Sequence, residues 1–335
     1  MSKTFTEKMI EKARGMARSL VLPESTEPRT LKAARIITDS KIASKVTLVG
    51  NPEKIKSAAT DGGVSLKDIT IVNPSASPNL SAYADEYHHL RKHKGITPSE
   101  ALERIQTPLL WAAMMLRKGD IDAMVAGAEN ATAKVLIAGF TIIGTAAEVK
   151  SASSCFVMEF PDKSFGKDGL LIFSDCATIP EPSVDQLVEI TLAAADSCRT
   201  FLRTEPIIAM LSFSTKGSAS HPLADKVIEA LKTVKARNPH LNVDGEMQLD
   251  AALVPSIGEK KASGSNVAGR ANTLIFPDLQ AGNIGYKIAQ YLAKADAYGP
   301  FLQGFAKPLS DLSRGASIDD IVNTSAITLT QGATE

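Results

Sequence analysis

Between residue 19 and about residue 145, short apolar runs alternate with longer segments of helical period, and this alternation constrains the fold more than any other feature. The runs are Leu20 to Leu22, Val46 to Val49, Ile69 to Val72 and Ala123 to Ala126, and the segments between them include a helix expected over Thr30 to Asp39. Such alternation implies parallel strands joined by crossover helices, an α/β architecture. Ahead of it, MSKTFTEKMIEKARGMARSLVLPES reads as an amphipathic helix leading into a first strand, Ser19 to Leu22. Near residue 146 the register changes. Two strands, near Ser154 to Phe160 and Leu170 to Asp175, are joined by a Gly- and Lys-rich turn and read as a hairpin that opens a second domain. Two domains also fit a chain of 335 residues, which is long for a single core.

Charge and cysteine usage remove several functional classes. The 37 basic and 37 acidic residues cancel, so no global field draws nucleic acid or an anionic membrane, and an anionic ligand must be met by a local patch. Cys155, Cys176 and Cys198 lack metal-ligand spacing, and an odd count without a secretory leader argues against a disulfide scaffold. No apolar run approaches the roughly 20 residues of a spanning helix. The expectation is a soluble protein of the reducing cytoplasm.

The residues that carry chemistry are densest between Asp278 and Asp320. After the apolar run Thr273 to Phe276, the residues Gly282, Asn283 and Gly285 read as a glycine-rich turn leading into a helix, an arrangement that suits an anion. Ser313, Arg314 and Gly315 then place a hydroxyl and a guanidinium on one loop, and the planar fork of an arginine matches phosphate. Asp320 follows six residues later, either as a base or, paired with Ser317, as a helix cap.

Earlier segments offer further anion-binding groups. Arg91, Lys92, His93 and Lys94 form a basic cluster ahead of a helix start at Thr97, Pro98 and Glu100; the cluster reads either as a phosphate grip or as a solvated turn. Asn130 and Thr132 follow the strand in IDAMVAGAENATA, where open α/β sheets bind ligands, although such residues also serve as caps. Ser214, Thr215 and Lys216 follow another strand, Ile207 to Phe213, and read equally as a small anion cradle or a polar turn. Asp244, Glu246 and Asp250 lie in a strand-like segment and read as hydrogen-bonding groups in preference to metal ligands. The tract Lys260 to Asn266 reads as a loop.

Taken together, RKHKGIT, VAGAENATA, SFSTKGSA, DGEMQLDAALVP, NVAGRANTLIFPDLQAGNIGYKIAQ, AYGP and KPLSDLSRG resemble the phosphate acetyltransferases over nearly the whole chain, and the tract Asn266 to Gly315 is the most specific part. The resemblance implies reversible acetyl transfer between CoA and inorganic phosphate. It implies that Asp320 takes the CoA thiol proton, that Arg314 holds carbonyl and phosphate, and that Ser313 assists. It further implies substrate contacts at Arg91, Asn130, Thr132, Ser214, Thr215, Lys216, Asn283, Tyr286 and Lys287, with no metal and no bound cofactor. The implied fold is that of the isocitrate and isopropylmalate dehydrogenases: residues 1–145 with 302–335 in one α/β domain, 146–301 in the other, the site in the cleft between them, and the chain a homodimer. One departure is Ile137, where the family commonly carries an arginine. Transfer of propionyl or butyryl groups, NAD-dependent dehydrogenation on the same fold, and non-catalytic sensing of acyl-CoA are the alternatives.

Overall fold

The computed structural model describes residues 4–147 and 149–332. The chain divides into two compact units, Met1–Ala147 with Phe305–Glu335, and Glu148–Gly304. In chain order the strands among the described residues are β1 (Ser19–Leu22), β2 (Lys45–Val49), β3 (Ile69–Val72), β4 (Ala123–Ala126), β5 (Ser153–Glu159), β6 (Leu170–Ser174), β7 (Ile208–Leu211), β8 (Val243–Met247), β9 (Thr273–Ile275), β10 (Asp296–Gln303) and β11 (Leu309–Asp311).

In the first unit the strand order is β3-β2-β1-β4-β11, and every pairing is parallel. Strands β1 and β4 are short and almost wholly buried, as expected of parallel strands covered on both faces. Leu20, Leu22, Leu31, Ile37, Ile55, Val125 and Ile321 pack into one core. The last strand is supplied by the C-terminal segment, and the helix that follows it, Ile318–Thr330, packs on helices Phe5–Met16 and Pro28–Asp39. The order in which successive strands are added reverses at β1: β2 and β3 lie on one side of it and β4 on the other. In an open parallel sheet that reversal leaves a crevice at the carboxyl ends of the two strands beside it, here β1 and β4.

The second unit is mixed, in the order β10-β5-β6-β9-β7-β8. Its first three strands are antiparallel, with the hairpin β5–β6 where the sequence predicts it; β6, β9, β7 and β8 run parallel. Phe156, Met158, Phe173, Leu274 and Phe276 fill its core, with the Phe173 and Phe276 rings 5.3 Å apart.

Three sequence expectations change here. Gly282, Asn283 and Gly285 do not form a turn: the helix Leu279–Tyr291 begins three residues before Gly282, with the Asp278 carboxylate accepting from the Ala281 amide as its cap. The glycines serve close packing instead, since a Cβ at Gly282 would lie 2.2 Å from the Asp175 carbonyl oxygen and one at Gly285 3.0 Å from the Phe276 ring. Asp250 is likewise not on a strand. It lies in the helical turn Leu249–Leu253, while Asp244 and Glu246 are on β8. Lys260 and Lys261 end a helix, Pro255–Lys261, rather than opening the loop expected there.

Candidate functional site

The carboxyl ends of β1, β4 and β11 carry three loops, and two side chains, one from the loop after β1 and one from the start of the helix that follows it, tie the other two in place. Glu24, two residues beyond β1, is 5% exposed. Its carboxylate accepts from the amides of Gly127 (3.0 Å), Ala128 (2.8 Å) and Asn130 (2.7 Å) and from Asn130 Nδ2 (2.9 Å). A buried carboxylate needs such donors, and here they are the backbone of the turn after β4. Arg29, in the first turn of the next helix, donates from Nη2 to the Ala128 carbonyl (2.9 Å). Its Nη1 reaches the carbonyls of Arg314 (2.9 Å) and Ala316 (2.7 Å).

The Ser313–Gly315 turn is therefore held from its backbone, leaving the Ser313 and Arg314 side chains exposed. The Gly315 amide donates to Ser313 Oγ at 3.2 Å. Asp320 is the third residue of Ile318–Thr330, and its Oδ2 accepts from both the amide and the hydroxyl of Ser317 at 2.8 Å. The capping reading of Asp320 holds in this geometry: the box engages the carboxylate through Oδ2, while Oδ1 lies outside it.

Below these loops lies Asp311, the last residue of β11 and 2% exposed. Burial pushes its carboxyl up to about 6; the nearby Glu24 charge adds to this, while hydrogen bonds from Thr132 and the Leu312 amide oppose it. The folded chain therefore holds this proton up to about pH 6, whereas the unfolded aspartate releases it near the ordinary value of 3.8. Stability should fall as pH rises through that window and stay at the lower level above it. Asp311→Asn is expected to remove this fall, giving a variant that melts higher than the parent at pH 8 by on the order of 1–3 kcal/mol and equally at pH 4. Thermal melts across pH 4 to 8 check this; parallel curves for the two proteins would refute the assignment.

Asn130 and Thr132 follow β4 in the loop that Arg29 links, through the Ala128 carbonyl, to the Arg314 carbonyl. Asn130 gives its amide group to Glu24, while Thr132 opens the helix Thr132–Ala138. Arg91 ends the helix Leu80–Arg91, half-buried, and the exposed Lys92, His93 and Lys94 turn back through Gly95. Ile137 is 58% exposed on Thr132–Ala138. Neither Glu24 nor Arg29 was among the residues singled out in the sequence. The available signal was VLPESTEPR, which puts a carboxylate immediately beyond the first strand of a parallel sheet.

In the second unit the cradle expected at Ser214, Thr215 and Lys216 is already filled by its own protein partners. Ser214 Oγ donates to Glu246 (2.9 Å), the Gln248 amide donates to Thr215 Oγ1 (2.9 Å), and Lys216 Nζ reaches Asp244 Oδ1 (2.5 Å) and the Gly245 carbonyl (2.8 Å). Burial pulls the Asp244 carboxyl upward, but its bonds from Lys216 and Ser265 outweigh that and hold it below the usual range. The acidic residues of β8 thus act as hydrogen-bond acceptors for this turn. Asn283 Nδ2 donates to the Cys176 carbonyl (3.3 Å), Tyr286 stacks on Phe156 with centroids 4.3 Å apart, and Lys287 lies 5.1 Å from the Tyr286 ring centroid. Burial pushes the Cys155 thiol up to about 12 and that of Cys198 to about 11, so neither supplies a thiolate nucleophile near neutral pH. Among the described residues no group of three or more His, Cys, Asp or Glu is placed to hold a metal ion, and no helix is long and apolar enough to cross a membrane.

The model of the family described as "Phosphate acetyl/butaryl transferase" matches residues 4–329. A phosphate acetyltransferase of Treponema pallidum is 54% identical over 331 residues, covering 98% of each chain, and one from Acetivibrio thermocellus is 47% identical with 98% of each covered. Among solved structures, a phosphotransacetylase from Streptococcus pyogenes superposes with a TM-score of 0.91 at 37% identity, covering 99% of each chain. With the crevice of a parallel sheet, a clamped serine–arginine turn and a full-length match in hand, the chain belongs to the phosphate acetyl/butyryl transferase family.

Proposed function

We propose that this enzyme transfers an acetyl group reversibly between CoA and inorganic phosphate. The observation that carries the reading is 54% identity across 98% of both chains to a protein named for that activity. The residues of the first unit supply chemistry to match. A free thiol, with an ordinary pKa near 8.5, is mostly protonated at neutral pH, so forming the thiolate is a step that needs catalysis. Asp320 takes that proton on Oδ1, and the CoA sulfur attacks the carbonyl carbon of acetyl phosphate. The new S–C bond forms as the C–O bond to phosphorus breaks, and the phosphate departs with the charge that Arg314 and Ser313 stabilise. In the reverse direction a phosphate oxygen attacks acetyl-CoA and Asp320 returns the proton to sulfur. Arg91, Asn130 and Thr132 contribute to binding substrate in this reading; from the second unit, so do the exposed Lys287 and its neighbours Asn283 and Tyr286.

The reading extends to organisation. We infer that the two compact units are two functional domains of the isocitrate dehydrogenase type, that no cofactor is resident, and that the enzyme works in the cytoplasm. Ser214, Thr215 and Lys216 serve this site by shaping the turn after β7 rather than as a free anion cradle, because their polar groups are engaged with Asp244, Glu246 and Gln248. A homodimer is supported by helix Leu279–Tyr291 and the residue after it, where Ile284, Ile288, Tyr291 and Leu292 are each more than half exposed. The butyryl class in the family description keeps a longer acyl donor as the second reading.

The test is release of CoA from acetyl-, propionyl- and butyryl-CoA on adding phosphate or arsenate to purified protein without added metal. Fastest turnover with acetyl-CoA supports the reading. One methylene is worth only about 1–3 kcal/mol of discrimination, so a butyryl rate above the acetyl rate would assign the second class. Binding of acyl-CoA without turnover of any donor would overturn the enzyme reading.

A further inference from the structure

The guanidinium of Arg29 joins two main-chain segments that are far apart in sequence. Four of its N–H groups have acceptors: Nε on Glu27 at 2.7 Å, Nη1 on the carbonyls of Arg314 and Ala316, and Nη2 on the carbonyl of Ala128. Its side chain is 31% exposed and that of Glu27 is 14% exposed. An arginine carries five donors in a planar fork and no acceptor, so little capacity remains for a ligand anion. Its bonds instead fall on the two carbonyls that flank the Arg314–Ala316 stretch and on the loop that Glu24 holds from the other side. A guanidinium can meet three carbonyls at once because its donors diverge in a fixed plane; an ammonium group offers no such geometry.

We propose that Arg29 is a positioning residue for the reaction: it fixes the Ser313–Arg314 turn against the Ala128–Asn130 loop, so that the Arg314 guanidinium projects at one distance from the substrate carbonyl. The proposal rests on the reading above that Arg314 acts at the reacting group. A misplacement near 1 Å in such a group lowers turnover about 100-fold, which sets the scale of the expected effect.

The test uses the full chain and four variants: Arg29→Gln, Arg29→Lys, Arg314→Gln and the double variant Arg29→Gln/Arg314→Gln. Acetyl-CoA phosphorolysis and thermal melts are recorded for each. Arg29→Gln is expected to lower kcat about 100-fold, with KM for acetyl-CoA changed by less than about threefold. Arg29→Lys should be intermediate. The double variant should be no slower than Arg314→Gln alone, because a residue acting only through Arg314 has nothing left to act on once that side chain is gone. A merely structural contribution would instead multiply the two losses. If Arg29→Gln turns over within about threefold of the parent while Arg314→Gln collapses, or if the two effects multiply, the positioning role is overturned and the site reading stands. Retained activity in Arg314→Gln would overturn the site reading and, with it, the role of Arg29. Should Arg29→Gln fail to fold, Arg29→Lys with Arg29→Lys/Arg314→Gln makes the same comparison.

Discussion

Replacing Arg314 with glutamine is expected to lower kcat for acetyl-CoA phosphorolysis about 10²- to 10³-fold while leaving the melting temperature unchanged. The magnitude is that of removing one preorganised group aimed at charge that develops in the transition state. The separation of activity from stability follows from how the turn is built. Arg29 and the Gly315 amide grip its backbone and the Ser313 hydroxyl, whereas the Arg314 side chain is exposed and contributes nothing to the core. Arg314→Lys should recover only part of the loss, because an ammonium keeps the charge without the planar fork. Steady-state release of CoA at saturating phosphate checks this. A kcat within about tenfold of the parent would remove Arg314 from the chemistry.

Substituting alanine at Gly127 is expected to produce the largest loss of stability of any single methyl addition in the first unit. Gly127 has φ +113°, a conformation that side chains rarely adopt. A Cβ there would lie 2.5 Å from Asp311 Oδ1 and 2.6 Å from both the amide nitrogen and the carbonyl oxygen of Leu312. None of these can withdraw cheaply. The Leu312 amide donates to the Ala126 carbonyl at 2.8 Å, continuing the ladder between β4 and β11, and the Gly127 amide is itself held by Glu24. The methyl group therefore pries β11 from β4 and takes the Ser313–Arg314 turn with it. A destabilisation above about 3 kcal/mol is expected, because overpacking and backbone strain act together. Gly119 is the control: its φ is +80°, but a Cβ there meets nothing within 4 Å, so alanine adds only the left-handed strain of about 1–2 kcal/mol. Thermal melts and limited proteolysis of both variants decide the matter, and equal melting temperatures for the two would refute the steric account.

How far these features are legible in the sequence depends on how local their causes are. The capping boxes at Thr97 with Glu100 and Ser317 with Asp320 form as the spacing predicts, because a side chain three residues from its partner amide needs nothing else to find it. Strands β1 to β4 fall at the apolar runs for a similar reason. The glycines of the Asp278 tract read as a turn in the sequence because a glycine looks alike whether it frees a turn or admits a neighbour. Only the position of the Asp175 carbonyl, about a hundred residues earlier in the chain, shows that Gly282 does the second. The Ser214–Lys216 turn was ambiguous on its own, and its reading depended on which side chains of β8 would face it.

The sequence by itself determined the α/β class, the hairpin at β5–β6, the helix caps and the exposed serine–arginine turn, since each follows from periodicity or from contacts within a few residues. The tertiary structure alone decided which groups hold that turn and which merely lie near it. Glu24 meets Asn130 across 106 residues and Arg29 meets Ala316 across 287. Nothing in the local pattern distinguishes that arginine from one on a solvated helix. Its role is set when the parallel sheet brings the ends of β1, β4 and β11 side by side, so that one guanidinium can satisfy carbonyls from two loops at once.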